Sequence, residues 1–444
     1  MDNKQSSRTQ GQRPHSPSTT AQKNYETLPL HIVQSMKNCL DEVTSENTKQ
    51  AFSSAHVTKA KTNLDLFHYT KKARLGLALS GGGIRAAIFH LGVLQFLAQA
   101  NIFDDIASIS TVSGASLAIG IVLATNNNKW PCGNDYKTSI QTKIRDTILQ
   151  NNIQSASLRR LPFYPKYWRH RVGMLAKMLE TKWGISGTLQ DIPTAPYWEI
   201  NCTTFETGNN FRLRRDYMGD EKIGYVQNPQ MPLSHAIAAS AAFPILIGPY
   251  ILDTSNLIFT PDKHGQLPFI KTDAHYSLWD GGVYDNLGLD ALYKTGRGMD
   301  PDIDFMVVSN ASASIKHQPR KGTISLHNLY RLLEISQNQV DLLRTRQVLA
   351  NVVRDGKGIY LKIGYTAEKL AEKLGIVIDN SLLTSSLSTT DVNKVRDYPT
   401  TLNSPTPSDY DLIFKHGYEN AKCAFDFQTM LKNKIEIQRM DTQG

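Results

Sequence analysis

Two strand–turn–helix units follow one another directly in this chain, and that succession constrains the fold more than any other feature. Leu75-Gly-Leu-Ala-Leu79 is an uninterrupted apolar run, suited to a strand buried on both faces. Ser80-Gly81-Gly82-Gly83 supplies a sharp turn. Over residues 84–100 the apolar side chains Ile88, Leu91, Val93, Leu94 and Leu97 recur at helical spacing. The second unit reads as a strand over residues 106–112, a turn at Ser113 and a helix over residues 114–124. Strand–turn–helix repeated in this way predicts an α/β protein with a parallel sheet covered by helices.

Further along, residues 136–180 read as helical and basic. Residues 199–203 and 211–214 read as strands joined by the turn Thr207-Gly-Asn-Asn. A small-residue helix is predicted over 234–242, ending before Pro244, and a buried strand over 303–308. A long amphipathic helix is predicted over 326–353 and a late strand over 358–363. Ser, Thr and Pro accumulate over 381–407, which predicts a surface loop. The long helix is free to cover a cleft, pair with another chain or simply pack.

With 444 residues, 40% hydrophobic, 20% charged, the chain can build a sizeable core. Residues 1–24 are polar, with too little apolar surface to offset ordering entropy, and predict a disordered tail. Residues 25–73 read as a helical lead-in. The tail has no apolar signal-peptide core, which predicts a cytoplasmic location; it also suits secretion that reads an unstructured tail. Residues 106–125 and 233–252 approach the length of a membrane span. Their Ser, Thr, Gly, His235, Pro244 and Pro249 make them buried core elements instead. Cys39, Cys132, Cys202 and Cys423 show no paired spacing, so neither a zinc site nor a redox pair is expected, in keeping with a reducing compartment. No metal and no cofactor is implied. The net charge of +9 favours anionic partners without choosing among them.

Three constellations carry chemistry. Gly81, Gly82 and Gly83 can aim their amides into one small space at a helix N-terminus, making a nest for a phosphate or an oxyanion. Taken alone, the same residues are a tight turn. A P-loop would close with Gly-Lys-Ser/Thr, which is missing, and a dinucleotide fingerprint would place glycine where Ala86 stands. Ser113, between a strand and a small-residue helix, is placed like the nucleophile of a strained elbow, or like a plain N-cap. Ser116 competes with it but falls inside the helix. Asp280-Gly281-Gly282 reads as a loop presenting a carboxylate, or as an ordinary turn.

The order of the three is more specific than any one. Gly81-Gly82-Gly83-Ile84-Arg85-Ala86, then Ser113-Gly114, then Asp280-Gly281-Gly282 resembles the patatin-like phospholipase family, whose pattern is G-G-G-x-R-[GA], G-x-S-x-G and D-G-[GA]. The helix running from Ala236 into Phe243-Pro244, and Ile200-Asn-Cys-Thr203 followed by Glu206-Thr-Gly208, are similar to further stretches of the family. The likeness spans residues 74–310. Thr111 and Ala115 depart from it, standing where the elbow has glycine, and a Cβ at either would tighten the turn.

The resemblance implies a three-layer α/β/α fold with a mostly parallel central sheet, a catalytic domain over 74–310 and a helical extension over 311–444 packed on it. It implies a Ser113–Asp280 dyad working without histidine, an oxyanion hole at Gly81, Gly82 and Gly83, and no cofactor. Arg85 matches the motif arginine, assigned to substrate binding; it steadies the glycine loop, attracts a lipid phosphate, or sits in a surface ion pair. His90 is expected to be a packed or surface histidine, and Thr207 and Asn286 turn formers. The implied activity is hydrolysis of fatty-acyl esters of phospholipids or lysophospholipids through an acyl-enzyme.

Arg159, Arg160, Lys166, Arg169, Arg171 and Lys177 interleave with Phe163, Tyr164, Tyr167 and Trp168, and no acid falls between Asp146 and Glu180. This suits peripheral association with an anionic membrane surface; no nucleic-acid partner is expected, although such a mixture also suits single strands or an ordinary solvated helix pair. Whether a protein activator is needed stays open. Other readings of the motifs are hydrolysis of neutral glycerides or other esters, a nucleotide-binding module, or a membrane-binding protein with a dead elbow.

Overall fold

The computed structural model describes residues 73–441, apart from 161–162, 164–170, 245–246, 268–272, 314, 316, 320–324 and 375–385. The expected polar tail and nearly all of the lead-in lie outside the described residues, as do Lys166, Arg169, Tyr164, Tyr167 and Trp168 of the basic segment.

The two opening units form as read. Strand β1 (Leu75–Leu79) leads into helix α1 (Gly83–Gln99), and β2 (Ile106–Val112) into α2 (Gly114–Thr125). Helices α3 (Gln141–Gln150), α4 (Ile153–Arg160) and α5 (Arg171–Trp183) follow. Then come β3 (Tyr197–Thr204), β4 (Asn210–Leu213), β5 (Tyr217–Asp220), β6 (Gly224–Gln227) and helix α6 (Leu233–Ser240). Strands β7 (Tyr250–Asp253), β8 (His275–Asp280) and β9 (Phe305–Asn310) precede the long helix α7 (Leu326–Val348). Strand β10 (Gly358–Lys362) and helices α8 (Ala367–Leu374), α9 (Thr389–Asp397) and α10 (Pro407–Asp441) complete the chain.

The sheet runs β10-β9-β1-β2-β3-β4-β5-β6. Its first five strands are parallel, and β4, β5 and β6 extend it antiparallel. The parallel centre is covered by helices, which is why β1 and β9 are buried along their whole length and carry no alternation. The expected α/β architecture with a mostly parallel core is what forms. Residues 106–125 are core, and no described helix is long and apolar enough to cross a membrane.

Several boundaries differ from the sequence reading, each for a tertiary reason. Strand β9 begins two residues late, because its pairing with β1 starts at Leu75 opposite Phe305. Helix α6 stops at Ser240, because the Ala242 carbonyl accepts the Asp280 N–H (3.1 Å) instead of continuing the helix. The loop expected over 381–407 contains α9, whose Ser388 cap accepts the Asp391 N–H at 3.1 Å. Strands β5 to β8 were not legible: they are short and of mixed polarity, and their partners, not their own pattern, make them strands. The division expected at 310/311 is not a seam in the sheet, since β10 pairs with β9 and belongs to the same layer.

Helix α1 is buried nearly all round, with the sheet on one side and α10 on the other. The two helices touch through reciprocal glycines. A Cβ on Gly92 would lie 2.0 Å from the Phe414 carbonyl oxygen, and one on Gly417 would lie 2.0 Å from that of Phe89. Gly417→Ala should therefore force α10 off α1 at a cost of about 1–3 kcal/mol, the range of overpacked cores. Thermal denaturation checks this; an unchanged melting temperature contradicts it.

Candidate active site

Strand β3 sets the site. Cys202 pairs with Phe211 of β4 on one edge and with Asp280 of β8 on the other. Asn201 pairs with Arg212 of β4 and with Val112 of β2. A strand has two edges, so β2 and β8 share one, arriving end to end from opposite directions. The last residue of β2, before Ser113, thus lies one β3 position from Asp280. Asp280 closes a strand and does not sit in an exposed loop as its Asp-Gly-Gly context suggested.

At Ser113 the chain turns with φ 52° and ψ −114°, a strained conformation for a residue with a side chain. The turn packs directly on the glycine loop: a Cβ on Gly114 would lie 2.1 Å from the Gly83 carbonyl oxygen. Glycine is therefore needed at 114, while the Thr111 side chain has a place of its own. Its Oγ1 accepts from Trp198 Nε1–H (2.9 Å) and lies 2.9 Å from Ser116 Oγ.

A one-way hydrogen-bond chain fixes the elbow. Ser240 O–H donates to the Asn201 carbonyl (2.8 Å), so Ser116, 3.0 Å away, must donate to Ser240 Oγ. Ser240 Oγ also accepts the Ser113 N–H at 3.0 Å. Ser116 is fully buried with its proton committed, which removes it as a competing nucleophile. Ser240 had no motif to announce it; it meets the elbow from 127 residues away.

The three glycine amides are not equivalent. Gly81 N–H donates to the Asn286 carbonyl (3.1 Å). Among the described residues no acceptor meets the N–H of Gly82 or Gly83. Gly82, at φ 144°, adopts a backbone open to glycine and closed to other residues. His90 holds the loop from beneath. Its Nε2 lies 2.9 Å from the Ser80 carbonyl, which can only accept, so Nε2 carries the proton and Nδ1 accepts from Ser309 O–H (3.0 Å). Burial lowers the His90 pKa to about 4 and keeps it neutral.

Arg85 is only 1% exposed, so the surface ion pair is ruled out. Its guanidinium donates to the carbonyls of Tyr398 (2.6 Å), Arg396 (3.3 Å) and Ala311 (3.3 Å). Desolvation lowers its pKa to about 10. Through Nη1 and Nη2, which both donate to backbone carbonyls, Arg85 ties the segment after α9 against the glycine loop. The Ile84 N–H to Thr401 carbonyl bond (2.8 Å) makes a second tie.

Ser113, Asp280, Gly81, Gly82, Gly83 and Arg85 all border one cavity of about 720 Å³. Its apolar wall includes Leu158, Met174, Leu175, Phe243 and Ile247, and helix α7 closes another side with Tyr330, Glu334, Asn338 and Asp341. Asn286, expected only as a turn former, lines the cavity too. Its Nδ2–H donates to Asp341 (3.3 Å), which burial pushes up to about 6. Thr207 does stand apart from the cavity, donating to Asp220 at 2.8 Å. Among the described residues no group of three or more His, Cys, Asp or Glu side chains converges on a metal position.

Asp280 is 2% exposed, and burial raises its pKa to about 6. Its Oδ1 accepts the Gly282 N–H (2.8 Å), which favours the ionised form, as does the nearby Ser113 hydroxyl, but together they only partly offset desolvation.

These features define an α/β protein with a strained serine, a buried carboxylate and free amides at the carboxyl ends of the first two strands. Residues 77–293 match the family model described as patatin-like phospholipase, and the chain carries a domain of that family. No curated protein sequence matches the chain. It is similar to the structure of human GIVD cytosolic phospholipase A2, at 12% identity and a TM-score of 0.48, covering 84% of this chain and 62% of that one. A second structure of that enzyme, with a methyl γ-linolenyl fluorophosphonate, gives 13% identity and a TM-score of 0.45, covering 86% and 62%. VipD from Legionella pneumophila gives 15% and 0.36, covering 81% and 67%. This chain thus spans about three-fifths of the cytosolic phospholipase chain.

The raised Asp280 pKa has a signed consequence for stability. Folded Asp280 keeps its proton to about pH 6, whereas the unfolded carboxyl releases it near 3.8, so ionisation costs stability above that window and nothing below it. Asp280→Asn should therefore stabilise the fold at neutral pH by up to roughly 2–3 kcal/mol, with the gain fading near pH 4. Melting temperatures across this range check it; a gain that did not change with pH would contradict the assignment.

Proposed function

We propose that the protein is a serine acyl hydrolase of phospholipids or lysophospholipids, acting from the cytoplasm as a peripheral membrane protein through a Ser113–Asp280 dyad. The observation that carries this reading is the register on β3, which brings Ser113 and Asp280 to one cavity beside the unengaged amides of Gly82 and Gly83.

Ser113 Oγ attacks the ester carbonyl carbon while its proton passes to Asp280. The carbonyl oxygen becomes an oxyanion and accepts from Gly82 and Gly83 N–H. Gly81, whose amide is engaged by Asn286, shapes the loop instead of donating. When the tetrahedral intermediate collapses, the leaving alcohol takes the proton from Asp280 and the acyl group stays on Ser113. Water then attacks the acyl-enzyme, giving its proton to Asp280. Ser113 regains a proton from Asp280 as the fatty acid leaves. A carboxylate near its ordinary pKa would be a poor base for a hydroxyl; a dry site with a pKa of about 6 narrows that gap.

The apolar wall suits an acyl chain, and the exposed Arg159, Arg160 and Arg171 suit an anionic headgroup layer. A fluorophosphonate should label Ser113, and Ser113→Ala or Asp280→Asn should each lower ester turnover by about a thousandfold or more. Turnover within tenfold of the parent in either variant rejects the dyad. The base must be ionised, so kcat/KM should rise with pH and level off above about pH 6. A flat profile from pH 5 to 8 would contradict Asp280 as the base, and faster turnover of triglyceride than of phospholipid would move the substrate class to neutral lipids.

A further inference from the structure

Helix α7 is amphipathic in the reverse of the usual sense. Its polar side chains Glu334, Gln337, Asn338 and Asp341 face the cavity, and Arg344 pairs with Asp285 at 3.3 Å. Asp341 accepts from Asn286 and from Ser312 O–H (3.3 Å). These contacts fasten the polar side above the Asp280 turn. The opposite side is left in solvent: Leu329 is 59% exposed, Leu332 62%, Ile335 40%, Leu342 41% and Leu343 57%. At 100° per residue these five fall within one face about 140° wide. A helix packed on a globular core ordinarily turns such a stripe inward; one exposed to this extent marks an interaction surface.

Building on the acyl-hydrolase reading, we propose that this outward face of α7 is the part of the protein that seats on an anionic lipid bilayer, holding the cavity open to its substrate. Three observations choose lipid over a protein seam. First, the exposed apolar groups gather at the cavity: Leu158 (62%) and Ile315 (38%) both line it and face solvent, so they belong to its mouth. An occupant there must leave room for substrate, as a bilayer that is itself the substrate does. Second, the charge is complementary. No carboxylate occupies the exposed positions of α7, where the charged residue is Arg346, and Leu158 is followed by exposed Arg159 and Arg160. Third, a coiled pairing would use positions 329, 332, 336, 339, 343 and 346, of which Ser336, Gln339 and Arg346 are polar. That is a poor seam for a second copy, yet compatible with a helix lying at the headgroup boundary.

The test is co-sedimentation of the full chain with phosphatidylcholine vesicles, with and without phosphatidylglycerol. It is run for the parent, for Leu332→Glu with Leu343→Glu, and for Ser336→Glu on the same face. Both positions of the double variant are exposed, so the fold survives, and melting curves verify it. The double variant should lose binding to anionic vesicles by about tenfold or more, and Ser336→Glu by a smaller factor. Hydrolysis of a soluble short-chain ester should stay within about twofold of the parent. In Leu332→Trp, the indole fluorescence should be quenched by brominated lipid, and an unquenched indole overturns the proposal. Parent-like vesicle binding by the double variant overturns the proposal, as does a parent dimer that the variant dissolves. Should the parent show no ester turnover at all, the hydrolase reading fails, while sedimentation still judges the surface.

Discussion

Strand β3 is the constraint on which the site depends. Its one edge is shared by two strands that meet head to head, β2 ending opposite Asn201 and β8 opposite Cys202. Hydrogen-bond register is quantised in residues, so the separation of serine and carboxylate is set by the ladder and not by loop flexibility. The rest is support for that junction. Ser240 holds the elbow amide and donates its own O–H to the Asn201 carbonyl. The Ala242 carbonyl holds the Asp280 amide, and Thr203 O–H donates to the Asp280 carbonyl at 2.9 Å.

Burial then sets the chemistry. The same desolvation that raises Asp280 toward neutrality lowers His90 and Arg85. Its consequence differs with the partners available. His90 is neutral and fully hydrogen-bonded, so it acts as a strut under the glycine loop. Arg85, lowered only to about 10 and helped by Asp397, keeps its charge. Asp280 accepts the Gly282 N–H and lies near the Ser113 hydroxyl, too little to hold it in the ordinary carboxylate range. A basic carboxylate and a stable fold are in opposition here, and the site sits on the basic side of that trade.

The C-terminal third is structural to the cavity. Strand β10 extends the parallel sheet, and α10 locks to α1 through Gly92 and Gly417. Helix α7 and the segment around Tyr398 and Thr401 form walls. From the sequence this region read as an extension, because none of its residues belongs to a motif and its contacts reach back more than two hundred positions. Arg85 illustrates the difference: its place in the motif was visible, but its partners at 396 and 398 were not.

By itself, the sequence determined the two βα units, the glycine turn, the serine between strand and helix, and the family these imply. Each is local: apolar runs, helical periodicity and residues that tolerate unusual backbone angles act within about ten positions. Only the tertiary structure decided that Asp280 ends a strand, that Gly81 has spent its amide while Gly82 and Gly83 have not, that Ser116 is bound up in a buried chain, and that α7 turns its apolar face outward. Those outcomes depend on which edge of β3 each strand takes and on which surface each helix finds covered. Residues far apart in the chain settle them jointly, and no single stretch carries the information.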